Sequence, residues 1–488
     1  MKITKTAAPT VNPLIFRAYD IRGIASAENS HAQGAEQQTP DLTPETIYLI
    51  GRGTGTYMLR TFNTRNMMVG RDNRLHGPAL QKAFIEGVLS TGVDVIDVGL
   101  STSPLLYYSV CKFNTDSGVN ITASHNPKEY NGVKIVGRSA HSVCGDELQK
   151  ILELIQNGDF ETGSGKLSTK EDNFEVYLKD ISARIKPKRK LKVVIDAGNG
   201  TAGKFAPDLL RAIGCDITEL YCDLDGNYPN HEANPEEEKN MLDLAALVRS
   251  QKADFGIGFD GDGDRVGIVD ENGKHYSADY LLILLARELL AVKPGSQVVF
   301  DVKVSRILID EIERLGGIPV MSKTGHSFIE ARMHELNAPL AGEISGHMFF
   351  GKDFYNYYGF DDATFAACKI VELIATSDKT FSQHFEDLPK METTPEFKAH
   401  CPDDKKFQIV KELTDHFTRL HKCVTIDGVR VNFDDTAWGA VRCSNTSPNL
   451  TLRFEAQSKE KLNQIQAEMV DQLKKYPEVS LAWYNKPV

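Results

Sequence analysis

Three carboxylates at every second position, Asp260-Gly261-Asp262-Gly263-Asp264-Arg265, are the part of this 488-residue chain most plainly suited to chemistry. Side by side, such charges raise one another's pKa unless a cation neutralises them. Carboxylate oxygens suit hard divalent ions such as Mg²⁺ or Ca²⁺, and the glycines let a short loop fold its side chains toward one ion. An EF-hand also begins Asp-x-Asp-x-Asp, and Glu271 falls where its last ligand would be. Its glycine position is Arg265 here, however, and residues 255–259 and 266–269 on either side read as strands, not helices. A plain acidic turn is the other alternative.

Three further stretches carry reactive or recognising groups. In residues 119–128, Val119 and Ile121 read as the end of a buried strand, and Thr122, Ser124, Asn126 and Pro127 make a polar turn. Ser124 and His125 stand at its tip, so the stretch is either an ordinary strand-to-helix loop or the seat of a nucleophilic or phosphate-carrying serine. Arg442-Cys443-Ser444-Asn445-Thr446-Ser447-Pro448 combines a guanidinium fork, hydroxyls and an amide, a donor set for phosphate oxygens; a simple Ser/Asn/Pro turn is the alternative. In Gly342-Glu343-Ile344-Ser345-Gly346-His347, Glu343 and Ser345 alternate, so an extended segment turns both to one side, where they could grip vicinal sugar hydroxyls. Thr324-Gly325-His326-Ser327 and Lys303 add a histidine and a cation.

Composition narrows the classes. Apolar residues make up 41% and charged residues 25%, ordinary for a globular chain of three or four domains. A net charge of −11 argues against non-specific nucleic-acid binding, so an anionic substrate needs a local basic site. The eight cysteines form no C-x-x-C pair and suit reduced thiols and a cytoplasmic location. The start has no signal-peptide core. The most apolar run, residues 280–286, is too short to span a bilayer and reads as a buried helix. No membrane partner is expected.

Strands alternate with helices through most of the chain, which argues for parallel α/β layers. Residues 1–12 read as a loose tail, residues 16–23 as a glycine turn with two arginines and Tyr19, and residues 25–43 as a surface insertion. A helix starts near Pro44 and runs into Ile50; strands follow at residues 67–70 and 93–98, with a helix carrying Leu80, Phe84, Ile85 and Val88 between them. Leu148, Ile151, Leu152 and Ile155 mark an amphipathic helix, and residues 158–170 a linker. The pattern restarts at residues 191–195 and again near residue 277. Near the end, Asp427-Gly428 between alternating apolar residues signals a hairpin, and a helix with Leu462, Ile465, Met469 and Leu473 closes the chain. The expected architecture is three mixed α/β-layer domains (1–168, 169–275, 276–390) followed by a smaller α+β C-terminal domain (391–488) around a central cleft.

Taken together, the Ser124 turn, the Asp260–Arg265 loop, the Glu343 loop and the Arg442 loop resemble the four signature regions of the α-D-phosphohexomutase family, in the family's order and over nearly the whole chain. Residues 16–23, Asp301-Val302-Lys303 and Lys323-Thr324-Gly325-His326-Ser327 resemble its bacterial phosphomannomutase/phosphoglucomutase branch. Phosphoglucosamine mutases usually carry Gln in place of Ile344, and animal-type phosphoglucomutases lack His347. Residues 25–43 depart from the family pattern, as do His76, where Ser is frequent, and Glu330, where Lys is common.

The resemblance implies that Ser124 carries a phosphoryl group and that Mg²⁺ is held by Asp260, Asp262, Asp264 and an oxygen on Ser124. It implies transfer from Ser124 to a hexose phosphate, mannose or glucose, giving a hexose 1,6-bisphosphate that turns over in the site and returns its other phosphate to Ser124. By the same resemblance Arg442, Ser444, Asn445 and Thr446 bind phosphate, and Glu343 and Ser345 bind sugar hydroxyls. Tyr19, Arg22, Lys303, His326 and His347 line the cleft; Arg265 stabilises transferring charge; and His125, Lys303, His326 and Arg22 are candidates for handling the proton. A monomer or weak homodimer with a moving C-terminal lid is expected. The alternatives are a sibling mutase, such as a phosphoglucosamine mutase, and a phosphatase in which Asp260 is the nucleophile.

Overall fold

The computed structural model describes residues 11–26, 40–445 and 447–484. Its strands form four sheets. The first runs in the order Ile21–Ile24, Tyr130–Val136, Ser117–Ile121, Asn66–Arg71, Asp94–Leu100, Leu167–Thr169. Asn66–Arg71 pairs in parallel with both Asp94–Leu100 and Ser117–Ile121, because the helices Gly77–Leu89 and Ser103–Lys112 supply the crossovers that parallel neighbours need. The second sheet orders His275–Tyr276, Val266–Asp270, Phe255–Phe259, Lys192–Asp196 and Asp216–Leu220; the third orders Ile318–Ser322, Gln297–Asp301, Leu340–Gly342 and Met348–Phe350. The fourth is antiparallel, with Asn449–Ala456, Ala437–Cys443, Val429–Asp434 and Lys422–Val424 in sequence beside the helices Asp403–Phe417 and Lys459–Leu473. Three mixed α/β layers and an α+β unit are therefore present, as the alternation of elements predicts.

The first three units share apolar packing. One cluster runs from Leu105 and Tyr108 through Val193, Ile195 and Ile257 to Leu281, Leu285 and Phe350. The last unit keeps its own core, built on Val431, Leu452, Phe454, Ile465 and Met469. Among the described residues, no helix is long and apolar enough to cross a membrane; residues 280–286 lie in the largely buried helix Ala278–Val292.

Several local expectations are corrected. The helix that starts at Pro44 runs on to Phe62 despite three glycines. A Cβ on Gly51 would lie 2.4 Å from the Phe84 carbonyl oxygen, and one on Gly87 2.3 Å from that of Tyr48, so glycine here permits two helix backbones to touch. Gly23 sits in the edge strand Ile21–Ile24, not a turn. Residues 167–169, expected in a linker, pair with Asp94–Leu100. The Ser124 turn joins two antiparallel strands, not a strand and a helix. Residues 1–10 of the expected tail and 27–39 of the expected insertion lie outside the described residues; at the flank, Leu42 is buried and bonded to the Ile24 carbonyl.

Glu330, one of the departures from the family pattern, lies where the first and third units meet. It is 3% exposed, and one oxygen accepts a very short hydrogen bond from the Ser142 hydroxyl of the first unit while the other has no hydrogen-bond partner. Burial pushes its carboxyl up from 4.5 to about 8. Above about pH 4.5 the folded protein must keep a proton that the unfolded chain gives up, so stability falls as pH rises toward 8. Glu330→Gln removes that burden. Melting curves across this range are expected to show the variant gaining on the parent by ~1.4 kcal/mol per pH unit, with no gain below about pH 4.5.

Candidate active site

The Ser124 turn is built from outside itself. Arg74, 1% exposed, donates to four carbonyl groups of the turn: Ser124 at 2.9 Å, Asn126 at 2.6 Å, Pro127 at 2.7 Å and Tyr130 at 3.0 Å. Asp72 receives Arg74 Nε and the Thr122 hydroxyl, which accepts from the Ser124 N–H. Arg22, oriented by Asp20 at 2.7 Å, reaches Asn126 Oδ1 at 2.7 Å. This network holds Ser124 in the left-handed region, at φ 51, a strained setting for a residue with a Cβ.

The acidic loop closes against that turn. Ser124 Oγ donates to Asp260 Oδ2 at 2.6 Å and lies 3.1 Å from His125 Nδ1. A Cβ on Gly261 would fall 2.4 Å from the Ser124 carbonyl oxygen, so only glycine lets the two loops meet. Asp260 Oδ1 accepts the N–H groups of Asp264 and Arg265. Asp262 Oδ2 accepts from Ser103 Oγ at 2.6 Å and from Lys134 Nζ at 2.8 Å; Lys134 also makes a very short contact to Asp264. One oxygen from each aspartate lies within 4.8 Å of the others. The buried Oδ1 atoms of Asp262 and Asp264 have no hydrogen-bond partner. Desolvated anionic oxygens without donors are costly unless a cation satisfies them, and an all-oxygen set fits a hard divalent ion such as Mg²⁺.

The charge states follow. Burial, reinforced by Asp264 and Asp262, pushes Asp260 well up. For Asp264 burial is overcome by Lys134, His347 and Arg265, which hold it well below the usual carboxylate range. Lys134 is held well above its ordinary value, its burial outweighed by Asp262 and Asp264. Burial and then Arg265 pull His125 well down; burial, Lys134 and His347 do the same to His326. Burial would lower His347, but Asp264 and Asp361 raise it. Its Nε2 accepts from Arg265 Nε at 3.0 Å, and its Nδ1 lies 2.6 Å from Asp361.

Glu343 and Ser345 do face one side: Ser345 Oγ donates to Glu343 Oε2 at 3.1 Å, while Oε1 takes the Gly325 N–H. That fastens the loop to the turn beneath His326, whose ring meets Tyr19 edge-on at 4.9 Å and His347 at 5.4 Å. Across the cleft, Arg442 Nε pairs with Asp427 at 2.6 Å, and the same Asp427 oxygen accepts the Thr324 N–H at 3.0 Å. Arg442 Nη2 is buried without a hydrogen-bond partner. Asn445 donates to the Thr324 carbonyl at 3.2 Å, and Lys406 holds the carbonyls of Ser444 and Ser447. Thr446 lies outside the described residues. Lys303 pairs with Glu396. A cavity of about 1060 Å³, lined by His125, Glu236, Ile344, Ser345, Glu396 and Lys398 among others, lies between the units. A smaller one of about 250 Å³ reaches Ser124 from the side of Lys128 and Tyr228.

Sequence reasoning missed Arg74, Asp72, Ser103, Lys134 and Asp361. The run Arg71-Asp72-Asn73-Arg74 follows a strand, but nothing near it in the sequence supplies a partner. Lys134 left a clearer mark, a lysine between Val133 and Ile135 in a strand buried at six of its seven positions.

Four sheets around a cleft, with a buried serine bonded to the first of three clustered carboxylates, define a class of multidomain α/β enzymes whose site is assembled from every unit. The chain belongs to the phosphoglucomutase/phosphomannomutase family: its alpha/beta/alpha domains I, II and III match residues 13–162, 175–273 and 277–391, and its C-terminal domain residues 396–472. It is 41% identical to the phosphomannomutase/phosphoglucomutase of Pseudomonas aeruginosa over 96% of this chain and 97% of that protein. It is 38% identical to a phosphoglucomutase of Neisseria meningitidis, over 93% and 95%. A crystal structure of a phosphoglucomutase/phosphomannomutase family protein from Burkholderia thailandensis superposes with a TM-score of 0.86 at 37% identity, covering 96% of this chain and 98% of that one.

Proposed function

We propose that this chain interconverts the 1- and 6-phosphates of mannose and glucose through a phosphorylated Ser124. The observation that carries the reading is the 2.6 Å contact between Ser124 Oγ and Asp260, inside a carboxylate cluster with orphaned buried oxygens. Asp260, Asp262 and Asp264, with an oxygen on Ser124, would hold Mg²⁺. Bound there, the ion supplies charge neutralisation and Lewis-acid polarisation.

The rest falls to the chain's own groups. A hexose phosphate hydroxyl attacks the phosphorus on Ser124; the new P–O bond forms as the bond to Ser124 Oγ breaks, the attacking hydroxyl gives up its proton, and Ser124 Oγ takes up a proton as it leaves. Of the four candidates to receive that proton, Arg22 is held charged by Asp20 against burial, and Lys303 by Glu396 and Asp301. His125 and His326, both held neutral, remain as acceptors. Arg265 spreads positive charge toward the transferring group. Glu343 and Ser345 grip sugar hydroxyls in both orientations of the hexose 1,6-bisphosphate, while Arg442, Ser444, Asn445 and Thr446 hold its far phosphate. Tyr19, Arg22, Lys303, His326 and His347 wall the sugar. Ile344, apolar beside Glu343, offers nothing to an amino group and favours neutral hexoses over glucosamine.

We place the domain limits at residues 168, 275 and 390. The separate core of the last unit supports a lid that moves to exclude water. Eight free thiols suit the cytoplasm; hexose phosphates are the partners, and the chain acts as a monomer or weak homodimer. The test supplies glucose 1-phosphate, mannose 1-phosphate or glucosamine 1-phosphate to the purified protein with Mg²⁺ and a trace of bisphosphate. The two hexose 6-phosphates are expected as products. Turnover of glucosamine phosphate alone would contradict the reading.

A further inference from the structure

The segment that carries Lys303 is held by arginines of another unit. Arg430 and Arg453 flank Ala440 in register on the fourth sheet. Arg430 Nη1 donates to the carbonyls of Val302 and Val304, both at 2.7 Å, and Arg453 Nη1 donates to the carbonyl of Lys303 at 2.9 Å. Three consecutive carbonyls of the third unit thus take their donors from the C-terminal unit. Beside them, Glu455 Oε1 accepts the Arg306 N–H and Trp438 Nε1, each at 2.8 Å, and the Arg430 guanidinium stacks on the Trp438 ring at 3.7 Å.

The arrangement is expensive for a joint. Arg430 is 2% exposed and its Nη2 has no hydrogen-bond partner. Burying a guanidinium against neutral carbonyls stabilises less than an apolar contact of the same size would. What the arginines add is direction. A carbonyl row gripped by rigid, planar donors fixes the backbone from which the Lys303 side chain projects. The strand between the two arginines, Ala437–Cys443, also carries Arg442. Lys303 and the phosphate-binding loop are therefore tied to one sheet although they belong to different units.

We propose that Arg430 and Arg453 are positioning residues for the mutase reaction, acting through the backbone of residues 302–304 to set Lys303 against the phosphate loop. The inference rests on Lys303 being a substrate-binding group, as proposed above. Arg453 also lines the large cavity between the units, and a double-mutant cycle separates the two roles, because a direct contact with the sugar would multiply with the loss of Lys303.

The experiment is a double-mutant cycle on the full chain. Arg453→Met keeps the length and removes the donors; Arg453→Lys restores one. Lys303→Met alone is expected to lower kcat/KM about 100-fold, Arg453→Met alone about 10-fold, and Arg453→Lys to recover most of that loss. The double variant should match Lys303→Met within about twofold, because an arginine that acts through Lys303 has nothing left to position. Losses that multiply, or an Arg453→Met enzyme as active as the parent, would overturn the proposal. An unaffected Lys303→Met enzyme would instead remove Lys303 from the site and the proposal with it. Should Arg453→Met fail to fold by its melting curve, Arg453→Gln takes its place in the same cycle.

Discussion

Replacing Ser124 with alanine is expected to lower kcat by on the order of 10³-fold or more while leaving the protein folded. On the proposed mechanism this hydroxyl carries the phosphoryl group beside the carboxylates. It lies 2.6 Å from Asp260, and the turn's backbone is gripped by Arg74, not by the serine side chain. Alanine loses the hydrogen bond to Asp260, whose pKa is already raised, and the contact with His125 Nδ1, a cost of ~1–3 kcal/mol that is too little to unfold a chain of this size. The left-handed φ of 51 is expected to persist in the variant, because the Arg74 network holds the carbonyls of the turn. Steady-state assays with hexose 1-phosphate and bisphosphate, beside melting curves, read both halves of the expectation. Mass spectrometry of the parent protein from cells should locate phosphate on Ser124. An alanine variant as active as the parent would sink the mechanism.

The second large effect is expected at the metal loop. Asp262→Asn should lower activity on the order of 10²–10³-fold, and a chelator should abolish turnover until Mg²⁺ is restored. The readout need not be activity. Buried oxygens without donors on Asp262 and Asp264 mean that a divalent ion relieves desolvated charge, so Mg²⁺ should raise the melting temperature of the parent in a concentration-dependent way. In Asp262→Asn that rise should shrink, because an amide oxygen is a weaker ligand and the cluster loses one charge. Lys134 keeps its contact with Asp264 in the variant, so the fold retains its internal cation. A melting temperature indifferent to Mg²⁺ in both proteins would argue that Lys134 alone neutralises the trio.

Much of the layer order was legible in the chain. Apolar runs of strand length alternating with amphipathic helices led directly to the parallel pairs within each mixed sheet, and Asp427-Gly428 marked a real reversal between Lys422–Val424 and Val429–Asp434. Where the reading failed, the cause was a contact with a distant segment. The glycines at 51, 53 and 55 argue against a long helix on propensity, yet the helix persists because the Phe84 carbonyl presses on Gly51. Residues 167–169 look like linker by composition, yet an open sheet edge recruits them.

The same division runs through the site. Every residue named from a motif lies on a local signature: glycine-spaced aspartates, a serine on a proline-limited turn, an alternating Glu and Ser, an Arg beside hydroxyls. These patterns are short-range, so the sequence by itself determined the family and the chemical character of each loop. Tertiary structure alone decided which groups answer one another. Lys134 between Asp262 and Asp264, Arg74 under Ser124 and the arginine pair behind Lys303 come from segments far apart in the chain. Charge pairing and desolvation depend on distance in space, and no spacing along a chain records that.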